Sequence, residues 1–147
     1  MDPGIVRQVT TRWDAIVDGS VRLPVHDQLG FQRVDSADAR ASISLTWTAP
    51  DEYSNSAGNL QGGMLGAFVD AAMGAACAAH MTEDLYPALA EMKISFLRPA
   101  RAGMKIHATA RVIKPGKRLM FIEADVTDDD GNLLARVSGT EVPAKLP

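Results

Sequence analysis

The chain has one cysteine, Cys77, so no internal disulfide can close and a reducing compartment is the expectation. It has no surplus of basic residues. Fifteen Lys and Arg stand against eighteen Asp and Glu, and a net charge of −3 gives nucleic acid no electrostatic reason to bind. No apolar run reaches the roughly 20 residues that span a bilayer, because the longest, Met64 to His80, is shorter and is broken by Asp70. Met1-Asp2-Pro3-Gly4 does not begin a basic segment followed by an apolar one, so the reading is a cytoplasmic protein without a signal peptide or membrane partner. His26, His80 and His107 are too far apart to show metal-ligand spacing, and neither a Gly-rich nucleotide loop nor a Ser nucleophile elbow is present. Repeats, low-complexity tracts and linkers are also missing. The 147 residues read as one domain, 1–147, large enough to bury an ordinary core.

What is present is a long apolar segment with one charge in it. From Ser56 to Thr82 the only formally charged side chain is Asp70. Ala, Met, Leu and Phe from Met64 onward suit a helix, and the spacing predicts one over residues 62–80. A helix apolar on nearly every side belongs inside a core. A carboxylate in its middle is costly unless it is bonded to backbone amides or a buried Arg, protonated, or chemically employed. Leu65, Phe68, Val69, Ala72 and Ala76 are expected to face a sheet. Gly66, Ala67, Met73 and Gly74, around Asp70, make an unusually small face that is expected to leave room for a ligand or a partner helix.

The rest of the chain alternates. Ala41, Ile43, Leu45 and Trp47 form one inward row, after a short strand near Phe31 to Val34. Ala90, Met92, Ile94 and Phe96 form a second, Met104 to Val112 a third, and Met120, Ile122, Ala124 and Val126 a fourth. The Asp129-Asp130-Gly131-Asn132 turn leads into a last strand from Leu133 to about Val142. Ile5, Val9, Trp13, Ile16 and Val17 share one face of an N-terminal helix within residues 1–20. The fold class is α+β: a curved antiparallel sheet of about five to six strands wrapped around a long central helix.

Asn55-x-x-Gly58-x-x-Gln61-Gly62-Gly63, followed after six residues by Asp70, resembles the active-site segment of hotdog-fold acyl-CoA thioesterases. It is most similar to the phenylacetyl-CoA thioesterase (PaaI-like) branch, whose usual motif has His where this chain has Gln61. The resemblance runs from about Leu29 to Thr140 and includes Ser95 to Gly103, Gly116-Lys117-Arg118 and the Asp130-Gly131-Asn132 turn. A position on the following strand that often carries Ser or Thr in the family falls at Leu89. The resemblance implies metal-independent and cofactor-free thioester hydrolysis, with acyl-CoA as substrate and a dimeric or tetrameric homo-oligomer.

Glycines at a helix start allow close approach to unsatisfied amides, which makes Gly62 the first candidate oxyanion donor, with Gly63 beside it. Asp70 is the candidate base or nucleophile. Gln61 and Asn55 are candidates to position the carbonyl, although Asn also suits a loop. Arg98, Arg101, Lys117 and Arg118, with Lys114, are candidate contacts for CoA phosphates. Gly62 and Asp70 are about 12 Å apart along the helix at ~1.5 Å per residue, whereas reacting groups must meet within roughly 3.5 Å. If both act, Gly62 of one chain serves Asp70 of another. A non-catalytic acyl-CoA-binding module is the alternative, with Gln61 and Leu89 as its marks. A hotdog hydratase would use a His paired with an acid, and none of the three His residues matches such a motif.

Overall fold

Residues 23–31, 34–38, 42–82 and 84–145 are described in the structure, a computed structural model. In chain order the elements are helix α1 (Pro24–Leu29), strands β1 (Val34–Asp38) and β2 (Ser42–Thr48), a 3-10 turn (Asp51–Tyr53), helix α2 (Gly62–Ala78), and strands β3 (Leu85–Phe96), β4 (Lys105–Lys114), β5 (Met120–Asp128) and β6 (Leu133–Lys145). The expected N-terminal helix, like Ala41, lies outside the described residues. Pro24 at the first helical position and Gly30 in the left-handed conformation delimit α1, for which the apolar spacing gave no sign.

The strands form one antiparallel sheet in the order β1-β2-β4-β5-β6-β3. Five long strands carry it and the short β1 extends one edge. Alternation determines which side faces the helix. Ile43, Leu45 and Trp47 of β2, Ile106, Ala108 and Ala110 of β4, and Met120, Ile122, Ala124 and Val126 of β5 are buried, as their rows predict. The expected core face of α2 is also buried: Leu65, Phe68, Val69, Ala72 and Ala76. Phe68 and Trp47 pack with ring centroids 5.2 Å apart, and Trp47 Nε1 donates to the Leu29 carbonyl at 3.0 Å. Between β5 and β6, Gly131 adopts φ +80°, and Asp128 Oδ1 accepts from the amides of Asp130 and Asn132.

Two features differ from the alternation. The β3–β6 register shifts between Leu89 and Glu91, so Ala90 is the extra residue and leaves the inward row. Pro87 then shares the helix-facing side with Met92, Ile94 and Phe96, as their contacts with α2 show, and Leu89 joins it by alternation. The second difference concerns the small-residue face of α2, which is not open space. Ile94 and Met92 reach Gly66, Pro87 reaches Gly74, Phe96 reaches Gly62, and Met73 is fully buried. The sheet curls far enough for β3 to cover this stripe. At the outer edge of the sheet β3 pairs only with β6 among the described residues. Leu89 there is 38% exposed and Phe96 56%.

Candidate active site

The chain enters α2 through a tight loop. Asn55 Oδ1 accepts from the amides of Ala57 at 2.9 Å and Asn59 at 3.2 Å, so that half of its side chain belongs to the loop. The Nδ2 amine is the half with donor capacity left. Gly58, at φ +73°, completes the turn. Gln61 donates its amide to the Tyr53 carbonyl at 2.8 Å, and its own carbonyl receives the amides of Met64 and Leu65. Its side chain is exposed and makes no cap bond. The amides of Gly62 and Gly63 therefore stand at the start of a seventeen-residue helix without an acceptor among the described residues.

A cleft of about 340 Å³ opens at this point, lined by Asn55, Gly62, Leu65, Phe96 and Arg98 among others. Its mouth depends on Gly62 lacking a side chain: a Cβ there would stand 3.0 Å from Phe96 Cζ. At Gly63 a Cβ would meet nothing within 4 Å. Arg98 donates through Nη1 to the Leu133 carbonyl at 2.7 Å, which holds the guanidinium at the rim. Arg101 is nearby, its backbone bridged to Asn59.

Asp70 is elsewhere. It lies two helical turns further on, half-buried and absent from the cleft lining. It has neither hydrogen bond nor ion pair among the described residues, so the structural anchors that could explain a buried Asp are not there. Burial alone pushes its carboxyl above the ordinary Asp range. Lys117 and Arg118 occupy the β4–β5 turn, at the sheet end opposite Arg98 and Arg101, so one chain does not gather the cations into a single group.

One residue near Asp70 escaped the sequence reading. Glu141 of β6 is 1% exposed, and neither carboxylate oxygen has a hydrogen-bond partner among the described residues. Burial, and then the charge of Asp70, raise its pKa to about 7. Cys77 on the same stretch of helix is buried, and its thiol is pushed up to about 12 by burial and then by Glu141, which leaves it protonated and a poor nucleophile. His107 lies on the sheet, bonded through Nε2 to Asp129 at 2.7 Å and through Nδ1 to Thr46 at 2.9 Å. No group of three or more His, Cys, Asp and Glu fit to hold a metal occurs among the described residues, and none of their helices is long and apolar enough to cross a membrane.

These elements have counterparts in known proteins. A model of the thioesterase superfamily matches residues 57–135, just over half of the chain. Acyl-coenzyme A thioesterase 13 of Mus musculus is 33% identical over 119 residues, which cover 73% of this chain and 80% of the mouse protein. The Homo sapiens protein of that name is 36% identical over 90 residues, covering 58% of this chain. That match spans only 61% of the human protein's length. Among solved structures, a phenylacetic acid degradation-related protein from Ralstonia eutropha JMP134 superposes with a TM-score of 0.81 at 28% identity, covering 88% of this chain and 98% of that one. The family match begins inside the loop before Gly62 and ends in β6, so it spans the glycine pair, α2 with Asp70 and most of the sheet. By that match and the mouse relative, this chain belongs to the thioesterase superfamily.

Proposed function

We propose that this protein hydrolyses an acyl-CoA thioester to a free carboxylic acid and CoA, at a site that two copies of the chain complete together. The observation that carries the reading is the separation on α2. Gly62, its amide without an acceptor among the described residues, lines a cleft at the start of the helix with Gly63 beside it, and a desolvated Asp, unpaired among the described residues, stands eight residues further on. Each is half of a hydrolytic site, and ~12 Å keeps them from one carbonyl within one chain. The outer edge of β3, unpaired among the described residues, suggests how a second copy would dock. Antiparallel pairing of two β3 edges about a two-fold axis sets the Phe96 end of one chain beside the Pro87 end of the other. That carries Gly62, which touches Phe96, toward the half of α2 bearing the partner's Asp70.

In this arrangement the Gly62 amide, assisted by Gly63, donates a hydrogen bond to the thioester oxygen and stabilises the negative charge that builds there. The side-chain NH2 groups of Asn55 and Gln61 orient the carbonyl. Asp70 either takes a proton from the attacking water or adds its own oxygen to the carbonyl carbon, giving an anhydride that water opens. In the first route Asp70 passes that proton to the thiolate as the C–S bond breaks; in the second the thiolate leaves as the anhydride forms and takes its proton from the water that opens the anhydride. Arg98 and Arg101 flank the cleft and are placed to meet CoA phosphates, and Lys117 and Arg118 of the partner are a second such group. The chemistry uses neither metal nor cofactor. The likeness to the mouse and human thioesterases and to the Ralstonia protein supports this reading, the last favouring an aryl-acetyl or similar acid.

The test is thiol release from acetyl-, medium-chain-, aromatic- and long-chain-acyl-CoAs by the native protein and by Asp70→Asn. Hydrolysis that falls at least a hundredfold in the variant while acyl-CoA binding persists supports the assignment. Tight binding without turnover by the native protein overturns it and leaves a non-catalytic acyl-CoA-binding module.

A further inference from the structure

Glu141 has no place in the mechanism above, and its position demands one. A carboxyl side chain at 1% exposure, with neither oxygen bonded among the described residues, is costly as an anion and useless as packing. Its direction follows from the strand. Gly139 faces α2, since a Cβ there would stand 2.4 Å from Met73 Cε, and two residues on Glu141 takes the same side. The helix stripe above it is Asp70, Met73, Gly74 and Cys77, at i, i+3, i+4 and i+7. Across the ladder Glu141 is paired with Leu89. Leu89 lies between Met92, which reaches Gly66, and Pro87, which reaches Gly74, and Asp70 lies midway between those two glycines. The Leu89–Glu141 pair is therefore level with Asp70.

The charged surroundings of Glu141 are one-sided. From α2 it meets Asp70 and Cys77, both of which interact with it electrostatically. From β3 and β5 its ladder partners are Leu89 and Met120, which carry no charge. Glu91 and Thr140 bond to each other at 3.2 Å on the outer face, and Lys145 is exposed at the strand end. No cation among the described residues pairs with Glu141. Two neighbouring carboxyls oppose each other's ionisation, and the more deeply buried one keeps its proton to higher pH.

We propose that Glu141 is a positioning residue for Asp70, buried as a carboxylic acid so that the pair carries a single negative charge and Asp70 holds it. This rests on the hydrolase reading for its consequence and on the buried pair for its existence. With Glu141 neutral, Asp70 is the ionised group that faces water or the acyl carbon. Once Glu141 loses its proton, a second negative charge stands beside a reaction that is itself building negative charge on the thioester oxygen, and turnover falls.

Two measurements test this. Carboxyl-13C NMR titration of protein labelled at Asp and Glu reads the pair without substrate. One Glu carboxyl is expected to titrate near neutrality, to vanish in Glu141→Gln and to move to lower pH in Asp70→Asn, where the like charge is gone. No Glu carboxyl titrating above about pH 6, or one that Asp70→Asn leaves in place, overturns the proposal. The pH dependence of kcat is the second measurement. The native enzyme is expected to lose rate above neutrality. Gln imitates the protonated acid, so Glu141→Gln should keep kcat within about threefold at pH 6 and lose the alkaline fall while retaining the acid limb and KM. A native rate that does not fall there, or an alkaline fall that persists in the variant, overturns the proposal. Should no acyl-CoA turn over at any pH, the hydrolase reading falls, and the NMR titration still decides the pair.

Discussion

Glu141 is the cross-strand partner of Leu89, an acid set against an aliphatic side chain beneath the helix that carries Asp70. Nothing in that pairing compensates a charge. The aliphatic partner is 38% exposed at the open side of β3, whereas the acid is sealed at 1%. The two strands place both side chains on the helix-facing side, the acid sealed within the sheet–helix layer and the leucine at its open edge. The proposed site therefore has a carboxyl on the helix above a carboxyl on the sheet, with the candidate CoA-binding cations Arg98, Arg101, Lys117 and Arg118 beyond the two ends of the strands.

The first consequence is a stability that depends on pH in an unusual direction. Glu141 titrates near 4.5 in the unfolded chain and about 7 in the folded protein. The folded state therefore binds the proton more tightly, and stability falls as pH rises. The contribution is fully present below about pH 4.5, is lost across the interval, and is gone once the pH has passed about 7. Its size is on the order of 3 kcal/mol for that difference. Urea unfolding at pH 5 and pH 8 should show the native protein weaker at the higher pH, and Glu141→Gln should remove most of the difference. Equal pH dependence in the two proteins would contradict the burial of Glu141 as an acid.

Close packing of α2 on β6 makes a second prediction. A Cβ on Gly139 would stand 2.4 Å from Met73 Cε and 2.9 Å from the Glu91 carbonyl oxygen. The methionine end can move, but the carbonyl belongs to the bulged part of β3 and cannot without disturbing the ladder. Gly139→Ala should cost about 1–3 kcal/mol, and adding Met73→Ala should not restore it. The midpoint of chemical denaturation reads both.

The two glycines at the start of α2 should separate folding from activity. At Gly62 an alanine methyl meets the Phe96 ring at 3.0 Å, and Phe96 is 56% exposed, so the ring can swing aside. Stability should change by less than about 1 kcal/mol, with the small helix preference for Ala offsetting the displacement. The displaced ring and the added methyl both intrude on the cleft, and kcat/KM should fall tenfold or more, as thiol release reports. At Gly63 the methyl meets nothing within 4 Å, so Gly63→Ala should be at least as stable as the native protein. A Gly62→Ala enzyme with undiminished kcat/KM would remove Gly62 from the site.

Most of the sheet was legible because one face of each strand is buried, and period-two patterning records that directly in β2, β4 and β5. Asp70 was legible for the converse reason, as a single charge in a segment whose every other position accepts burial. The β3 bulge was hidden because Leu89 and Ala90 are both apolar and either phase of alternation fits them. The small face of α2 was misread as a vacancy because helix periodicity shows which residues are small and not what a curled sheet brings against them. Glu141 could have been found. In β6 the inward row of Ala135 and Val137 continues through Gly139 to Glu141, and that phase alone puts an acid inside. A Glu beside Thr140 near a strand end otherwise has the pattern of a solvated residue.

Whether one site draws on two chains can be decided without a structure of the assembly. A chain carrying Gly62→Val lacks the donor end of the site, and a chain carrying Asp70→Asn lacks the acid end. Each alone should be inactive. In a mixed dimer one site inherits both defects and the other inherits neither, since the intact Gly62 comes from one chain and the intact Asp70 from the other. Random exchange makes half of the dimers mixed, with one competent site of two in each, so mixing should recover about a quarter of native activity. A site within a single chain predicts no recovery at any mixing ratio, because no chain in the mixture carries both intact groups. Co-refolding the two variants in equal amounts and following thiol release separates these outcomes.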